Sequence, residues 1–333
     1  MSRLLIITAW YHPFIHPRAH RWTAIAEYWV TQGHEVQVLT ARHRDCASES
    51  EVNGVRVHRV GFDSLKEFFY FHFGSSQARG RVGNPVGPPS LTARLAAGLY
   101  RLFWKNIYFP DDAGLWYFAA REKARTLQAA RPFDALISVS LPFTGHLIGL
   151  ATKRRFPGLP WLADIGDPFS IQEKAPNNHW LYRRISRKLE RRVLEEADVS
   201  SVTTEFTVRR YRQFFEDAVT ARLKVIPPLL FPEPLPHQLA SRSSSKIRIG
   251  YFGALYAPVR TPDAFLELLE DSLHHRPALR EQLEIHFYGE IFPEFYARLS
   301  ASPLIRLHGL QSRTAVQSAM QQMDILLNIG NQS

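Results

Sequence analysis

Two carboxylates, Asp164 and Asp167 in the stretch DIGDPF, are placed to do acid–base chemistry. They follow an apolar run that reads as a strand, on a loop stiffened by Pro168. A carboxylate so held can orient a hydroxyl or take its proton, and the bland alternative is helix capping by Asp167. A set of cations suits phosphate: Arg18, His20 and Arg21 follow the first apolar run, and His146 opens a helix after SVSLPF. Surface solvation explains them equally well. In the second half Gly253 follows IGYF and lets backbone approach a phosphate, with Arg260 beyond it. The alternative is that Gly253 merely turns the chain and Arg260 is a solvated helix cap. Gly289 and Glu290 end the next run, and Asn328 sits in DILLNIG, the last. His12, His16 and His20 recur in HPFIHPRAH at a spacing that could hold a metal, but Pro13 and Pro17 prevent one regular helix from aligning them, so no metal is expected.

Missing motifs remove other chemistries. No G-x-G-x-x-G follows a strand, no G-x-x-x-x-G-K-[ST] occurs, and there is no Asp-x-Asp clamp for a metal diphosphate. The single Cys46 excludes an intrachain disulfide and a multi-cysteine zinc site, which fits a reducing compartment such as the cytosol. No apolar stretch approaches the roughly 20 residues of a membrane span. The net charge of +10 calls for an anionic partner: nucleic acid, a membrane face or a phosphorylated substrate.

The elements that must position these residues alternate in the manner of parallel βαβ units. The expected strands are 4–9, 36–40, 55–60, 135–139, 161–164, 199–203 and 223–226, with helices at 18–32, 115–130, 143–155, 182–196 and 205–215. A proline-dense stretch and the run ASRSSS then read as a linker over 227–245. Beyond it the alternation resumes with strands 247–252, 284–288, 305–307 and 324–329 and helices 262–273, 293–299 and 313–323. These expectations divide the chain into a domain over 1–226, the linker, and a domain over 246–333. The basic helix is expected to carry Arg191–Glu195 and Arg192–Glu196 pairs.

WYHPFIHPRAHRWTAIAEYWVTQGHEVQVLTAR resembles the opening of a family 4 glycosyltransferase of the GT-B type. The resemblance continues in the family's order through SVSLPFTGHLIGLATKRRFPGLPWLADIGDPFS, RKLERRVLEEADVSSVTTE, KVIPP, RIGYFGALYAPVRTP, EIHFYGE and IRLHGLQSRTAVQSAMQQMDILLNI, covering nearly the whole chain. It implies an α/β fold of two Rossmann-like domains whose parallel sheets face across a cleft. The first would bind the acceptor and the second a nucleotide-sugar. It implies a second domain that is incomplete here, because the family continues past such a last strand into a helix bearing the glutamate of an E-x7-E motif.

Carried over by position, Asp164 and Asp167 are the catalytic candidates, although Gly166 stands where a subgroup of the family has arginine. Gly253, Arg260, Gly289, Glu290 and Asn328 become donor-binding candidates. Arg260 replaces the family's usual phosphate-binding lysine, and Ala254 a frequent arginine. Arg18, His20, Arg21 and His146 would meet phosphate or acceptor. The implied activity is retaining hexosyl transfer from a nucleotide-sugar to a saccharide, with the leaving diphosphate helping to deprotonate the acceptor. No cofactor or metal is implied beyond the donor itself.

The segment 91–105 carries Leu91, Leu95, Leu99, Leu102 and Phe103 on one side and Arg94, Arg101 and Lys105 on its flank. That is the pattern of an interfacial helix on an anionic membrane surface, and equally of a helix packed on its own domain with a solvated edge. With it the expectation becomes a cytoplasmic enzyme, peripheral at the inner membrane face, acting on a polyprenyl-diphosphate-linked acceptor in cell-surface polysaccharide or glycolipid synthesis. Nucleic acid is not an expected partner, since no nucleic-acid motif accompanies the charge. The competing expectation is a non-catalytic GT-B relative that serves as a binding or scaffolding subunit.

Overall fold

The computed structural model describes residues 1–14, 16–43, 46–65, 67–68, 107–172, 179–227 and 246–330. The expected interfacial helix 91–105 and the linker beyond Pro227 lie outside the described residues. The chain forms two compact units, one before the linker and one after it.

The first unit is built on an eight-stranded sheet in the order β3-β4-β2-β1-β5-β6-β7-β8. Its strands are β1 (Arg3–Ile7), β2 (Glu35–Thr40), β3 (Glu49–Val52), β4 (Val55–Arg59), β5 (Ala135–Ser140), β6 (Trp161–Ile165), β7 (Val199–Val202) and β8 (Leu223–Val225). All pairings are parallel except β3 with β4, an edge hairpin closed by Asn53-Gly54. The apolar alternation does not announce β3, whose sequence ESEV is polar. The Asn-Gly pair before an apolar run is the signal that marks it.

The helices are α1 (Pro17–Thr31), α2 (Trp116–Ala130), α3 (Thr144–Arg155), α4 (His179–Glu196), α5 (Glu205–Phe214) and the short α6 (Asp217–Thr220). α1 starts with Pro17, whose missing N–H costs nothing in a first turn, and His16 Nδ1 accepts from the Arg18 amide at 3.2 Å. It buries Trp22, Ile25 and Ala26 against Ile6, Val38, Ile137 and Val139. The opposite face packs Leu5, Ile7, Leu136 and Ala163 against Trp116, Ala120 and Ile148. Burying each large apolar side chain contributes about 1.5–3 kcal/mol, and Trp116 and Trp161 are almost wholly enclosed.

The second unit holds a four-stranded parallel sheet in the order β11-β10-β9-β12. Its strands are β9 (Ile247–Phe252), β10 (Leu283–Tyr288), β11 (Ile305–Gly309) and β12 (Ile325–Leu327), with α7 (Asp263–His275), α8 (Leu279–Gln282), α9 (Pro293–Ser300) and α10 (Arg313–Gln321) between them. Its core joins Tyr251, Ile285, Phe287 and Ile305 to Leu266, Leu269, Phe295 and Leu299.

Candidate active site

In each sheet the strand order reverses beside the unit's first strand, between β1 and β5 and between β9 and β12. Loops leaving the carboxyl ends at such a point diverge to opposite faces and leave room for a ligand. The candidate residues of the first unit lie in the first turns of α1 and α3, which follow β1 and β5, and at the end of β6 and on the loop after it. Those of the second lie after β9, β10 and β12.

Asp164 does not stand on the loop. It is the fourth residue of β6, only 1% exposed, and its oxygens accept from Trp22 Nε1 at 2.9 Å, Ser201 Oγ at 2.7 Å and Arg21 Nη2 at 3.4 Å. The carboxylate ties α1 to β6 and β7, and three donors of the protein already engage it. Arg21 is drawn inward by the same contact. Asp167 is the carboxylate that faces out: its side chain is 66% exposed and lies 3.8 Å from Arg18 Nη2.

The loop carrying Asp167 is held from below by Glu190. This α4 carboxylate is buried and accepts from the amides of Phe169 and Ser170 at 2.7 and 2.8 Å, from Ser170 Oγ at 2.5 Å and from Tyr211 Oη at 2.6 Å. Burial, and then the adjoining Glu190 charge, raise the Tyr211 phenol far above its ordinary range, so the phenol keeps its proton and donates it. Phe169 stacks on Phe143 at 4.1 Å, which joins the loop to the start of α3.

At that start Asp111 accepts from the Thr144 amide at 2.9 Å and the Thr144 hydroxyl at 2.7 Å. The helix N-terminus that a phosphate would find attractive is thus occupied by the chain's own carboxylate. His146, in the first turn of α3, is 1% exposed. Its Nδ1 lies 2.8 Å from Ser138 Oγ, which also accepts from Trp161 Nε1. Burial, and then the Arg18 guanidinium, push His146 down to about 3, so the imidazole is neutral and is not the surface cation that its place in the sequence suggests.

Arg18 remains as the cation at the β6 edge. A Cβ on Gly166 would fall 1.3 Å from Arg18 Nη2, so the guanidinium fills the notch that the missing side chain leaves. The position lacks its own arginine, and α1 supplies one from elsewhere in the chain. His20 lies one turn beyond His16, whose imidazole is lowered to about 4 by burial and then by Arg18 and His20.

In the second unit the ends of β9 and β10 meet through glycine. Gly289 has φ +122°, and a Cβ there would fall 2.1 Å from the Gly253 carbonyl oxygen. The Gly253 amide bonds the Tyr288 carbonyl at 2.9 Å, and the Leu255 amide bonds that of Glu290 at 2.9 Å, leaving Glu290 exposed. Arg260 and Tyr256 exchange two backbone hydrogen bonds of 2.9 Å, and the guanidinium lies 5.9 Å from the Tyr256 ring centre. Asn328 is exposed after β12, across the reversal point from Gly253. Gly253, Gly289 and Arg260 therefore share one carboxyl edge with Asn328. No group of three His, Cys, Asp or Glu side chains is gathered for a metal among the described residues.

Residues 19–228 match the family model described as the glycosyl transferase 4-like domain. The chain belongs to the glycosyl transferase 4-like family. No curated protein matches this glycosyltransferase significantly. Among solved structures it is similar to WaaG, a glycosyltransferase involved in lipopolysaccharide biosynthesis, at 16% identity and TM-score 0.54, covering 98% of this chain and 74% of that one. It is similar to the α,α-trehalose-phosphate synthase (UDP-forming) from Burkholderia xenovorans in complex with glucose-6-phosphate, at 12% identity and TM-score 0.58, over 96% of this chain and 77% of that one. An E. coli trehalose-6-phosphate protein bound with UDP-2-fluoro glucose is similar at 12% identity and TM-score 0.56, over 98% and 77%. The fold of this glycosyltransferase is GT-B, with a parallel Rossmann-like sheet in each unit.

The sequence reading of this glycosyltransferase overlooks Glu190 and Asp111. Glu190 shares a helical face with Ser186, Val193 and Leu194, all buried, and that spacing is the signal that separates it from its solvated neighbours. Arg191 pairs with Glu195 at 2.7 Å as expected. Glu196, expected to pair with Arg192, instead accepts from Arg154 Nε at 2.8 Å, because α3 packs beside α4.

Proposed function

We propose that this glycosyltransferase moves a sugar from a nucleotide-sugar to a saccharide acceptor with retention of anomeric configuration. The observation that supports the donor role is the glycine-to-glycine contact of Gly253 and Gly289. It leaves bare backbone at the ends of β9 and β10, next to the reversal point between β9 and β12, with the Arg260 turn on the same edge. A diphosphate approaching such an edge meets close-lying backbone free of side-chain bulk, with the Arg260 guanidinium on the same edge. In this reading the leaving diphosphate helps deprotonate the acceptor hydroxyl and no metal is required. Arg18 and Asp167 face the acceptor, and Asp164 acts through the placement of α1.

We further read the acceptor as lipid-linked, a polyprenyl diphosphate in cell-surface polysaccharide or glycolipid synthesis. The enzyme would act at the cytoplasmic face of the membrane. No helix among the described residues is long and apolar enough to cross a membrane. α4 exposes Trp180 at 80%, with Leu181 and Ile185, beside Arg183, Arg184 and Lys188. An aromatic and aliphatic face flanked by cations suits anionic phospholipid.

Calorimetry with UDP, GDP, ADP and TDP tests the donor reading. One nucleotide should bind in the micromolar range, and Arg260→Ala should weaken it about tenfold. A folded protein that binds none of the four would refute the donor site and favour a non-catalytic binding subunit.

A further inference from the structure

An indentation lies in the first unit, away from β6. It is lined by Trp10 and Phe14 after β1, Arg42 and His43 after β2, and Asp63 and Glu67 after β4. Asp63 Oδ2 accepts from Trp10 Nε1 at 2.7 Å, while Oδ1 is buried without a hydrogen-bond partner. A buried acceptor in this condition is rare in folded proteins and calls for an explanation.

The charges around it narrow the ligand. Arg59, which also lines the indentation, is committed to the His12 carbonyl at 3.1 Å, the Ala47 carbonyl at 3.2 Å and Ser50 Oγ at 2.7 Å. Arg42 and Arg59 balance Asp63 and Glu67 in formal charge, so the site favours a neutral ligand with donor groups. Trp10 and Phe14 lie with their ring planes 7° apart and centres 5.9 Å apart, supplying an aromatic wall for C–H groups. Neutral hydroxyl donors on an apolar C–H frame describe a sugar ring.

We infer that this indentation is a saccharide subsite in which Asp63 Oδ1 accepts a hydroxyl hydrogen bond from a sugar packed against the Trp10 and Phe14 wall. The inference rests on the glycosyltransferase reading above and deepens it by placing a sugar of the acceptor at the β1, β2 and β4 loops. Asp63 is a binding residue here, distinct from the Arg18 and Asp167 edge. Burial first, and then the Glu67 and Asp112 charges, raise Asp63 to about 6, against the Trp10 hydrogen bond. Hydroxyl hydrogen bonds favour the charged carboxylate, so a bound sugar lowers that value.

The Trp10 indole N–H reports on this directly, because it is bonded to the same carboxyl group. Its resonance can be assigned in a proton–nitrogen correlation spectrum by Trp10→Phe. The probes are the methyl α-glycosides of glucose, mannose, galactose and N-acetylglucosamine. At least one should shift the Trp10 signal in the wild-type protein and move its titration midpoint below 6. Asp63→Asn, a replacement of nearly the same shape, should weaken that sugar at least tenfold. A wild-type signal that none of the four moves, a midpoint that rises, or sugar binding that survives Asp63→Asn overturns the subsite. Nucleotide calorimetry on the same samples separates the two readings. Nucleotide binding without a sugar response refutes the subsite alone, and a sugar response without nucleotide binding refutes the donor reading alone.

Discussion

The carboxyl edges of the two sheets solve the same problem with different materials. In the first unit the edge is braced by carboxylates: Asp164 joins α1, β6 and β7, Glu190 carries the Asp167 loop, and Asp111 closes α3. In the second unit the edge is backbone against backbone, with Gly253 and Gly289 in contact. The difference teaches that acids near a candidate site are not thereby ligand groups. In the first unit Asp164, Glu190 and Asp111 are already engaged by the protein, and Asp167 is the one of the four whose side chain is largely exposed.

Removing a brace should have the largest effect. Glu190→Ala leaves the amides of Phe169 and Ser170 and the Tyr211 hydroxyl without their buried acceptor. The expected cost is about 3–5 kcal/mol. All seven tryptophans precede the linker, so urea unfolding followed by tryptophan fluorescence reads the first unit alone. An unchanged urea midpoint would show that Glu190 is no brace.

The two aspartates of DIGDPF sharpen the comparison within one loop. Asp164→Asn removes the charge facing Arg21 in a buried setting and should cost about 3 kcal/mol by the same measurement. Asp167→Asn, on an exposed side chain, should change stability by less than about 0.5 kcal/mol. Its effect should appear in turnover of the nucleotide-sugar that calorimetry identifies. Equal stability losses would contradict the division between brace and ligand-facing group. On the second edge, Gly289→Ala forces both a strained φ and a clash with Gly253, and should cost about 2–3 kcal/mol. That loss should appear in far-UV circular dichroism and leave the tryptophan transition in place.

The imidazoles give the braced edge a pH dependence. His146 is lowered to about 3 in the fold from an unfolded value near 6.5, so below 6.5 the unfolded chain binds a proton that the folded one does not. Stability from this group is complete above 6.5 and falls as pH drops toward 3, by about 1.4 kcal/mol per pH unit. His16, lowered to about 4, acts in the same direction. Asp63, raised to about 6, acts in the opposite one between its unfolded value near 3.9 and 6. His146→Gln should therefore flatten the slope of stability against pH between 4 and 6 by about 1.4 kcal/mol per unit. A slope unchanged by the substitution would mean that the imidazole is not held neutral.

How much of this was legible in the sequence depends on whether the signal is local. The parallel strands are short apolar runs between helical periods, and both sheets follow from them. β3 is polar and lies in a hairpin whose cue is two residues long. Asp164 is conspicuous, but its role is decided by Trp22, 142 positions away, and by Ser201, 37 positions away. Glu190 sits in RKLERRVLEE among charges that do face solvent, and only its spacing to Val193 and Leu194 distinguishes it. Asp63 in GFDS has no distinguishing neighbours at all. Its buried oxygen arises from the meeting of three loops.

Gly166 tests the smallest and most local of these arrangements. A methyl group there meets the far end of Arg18, a flexible side chain that can swing away, so Gly166→Ala should cost no more than about 1 kcal/mol of stability. Function should suffer more than fold, because the guanidinium leaves the position beside Asp167. We expect a roughly tenfold fall in kcat/KM, on the order of 1.4 kcal/mol of transition-state stabilisation. Arg18→Ala should give a similar fall, and the double variant should be no worse than Arg18→Ala alone, since both changes remove the same group from the same place. Residues that act independently would instead give additive losses. Additivity would mean that Gly166 serves the loop by another route, and that the notch does not hold Arg18 for its task.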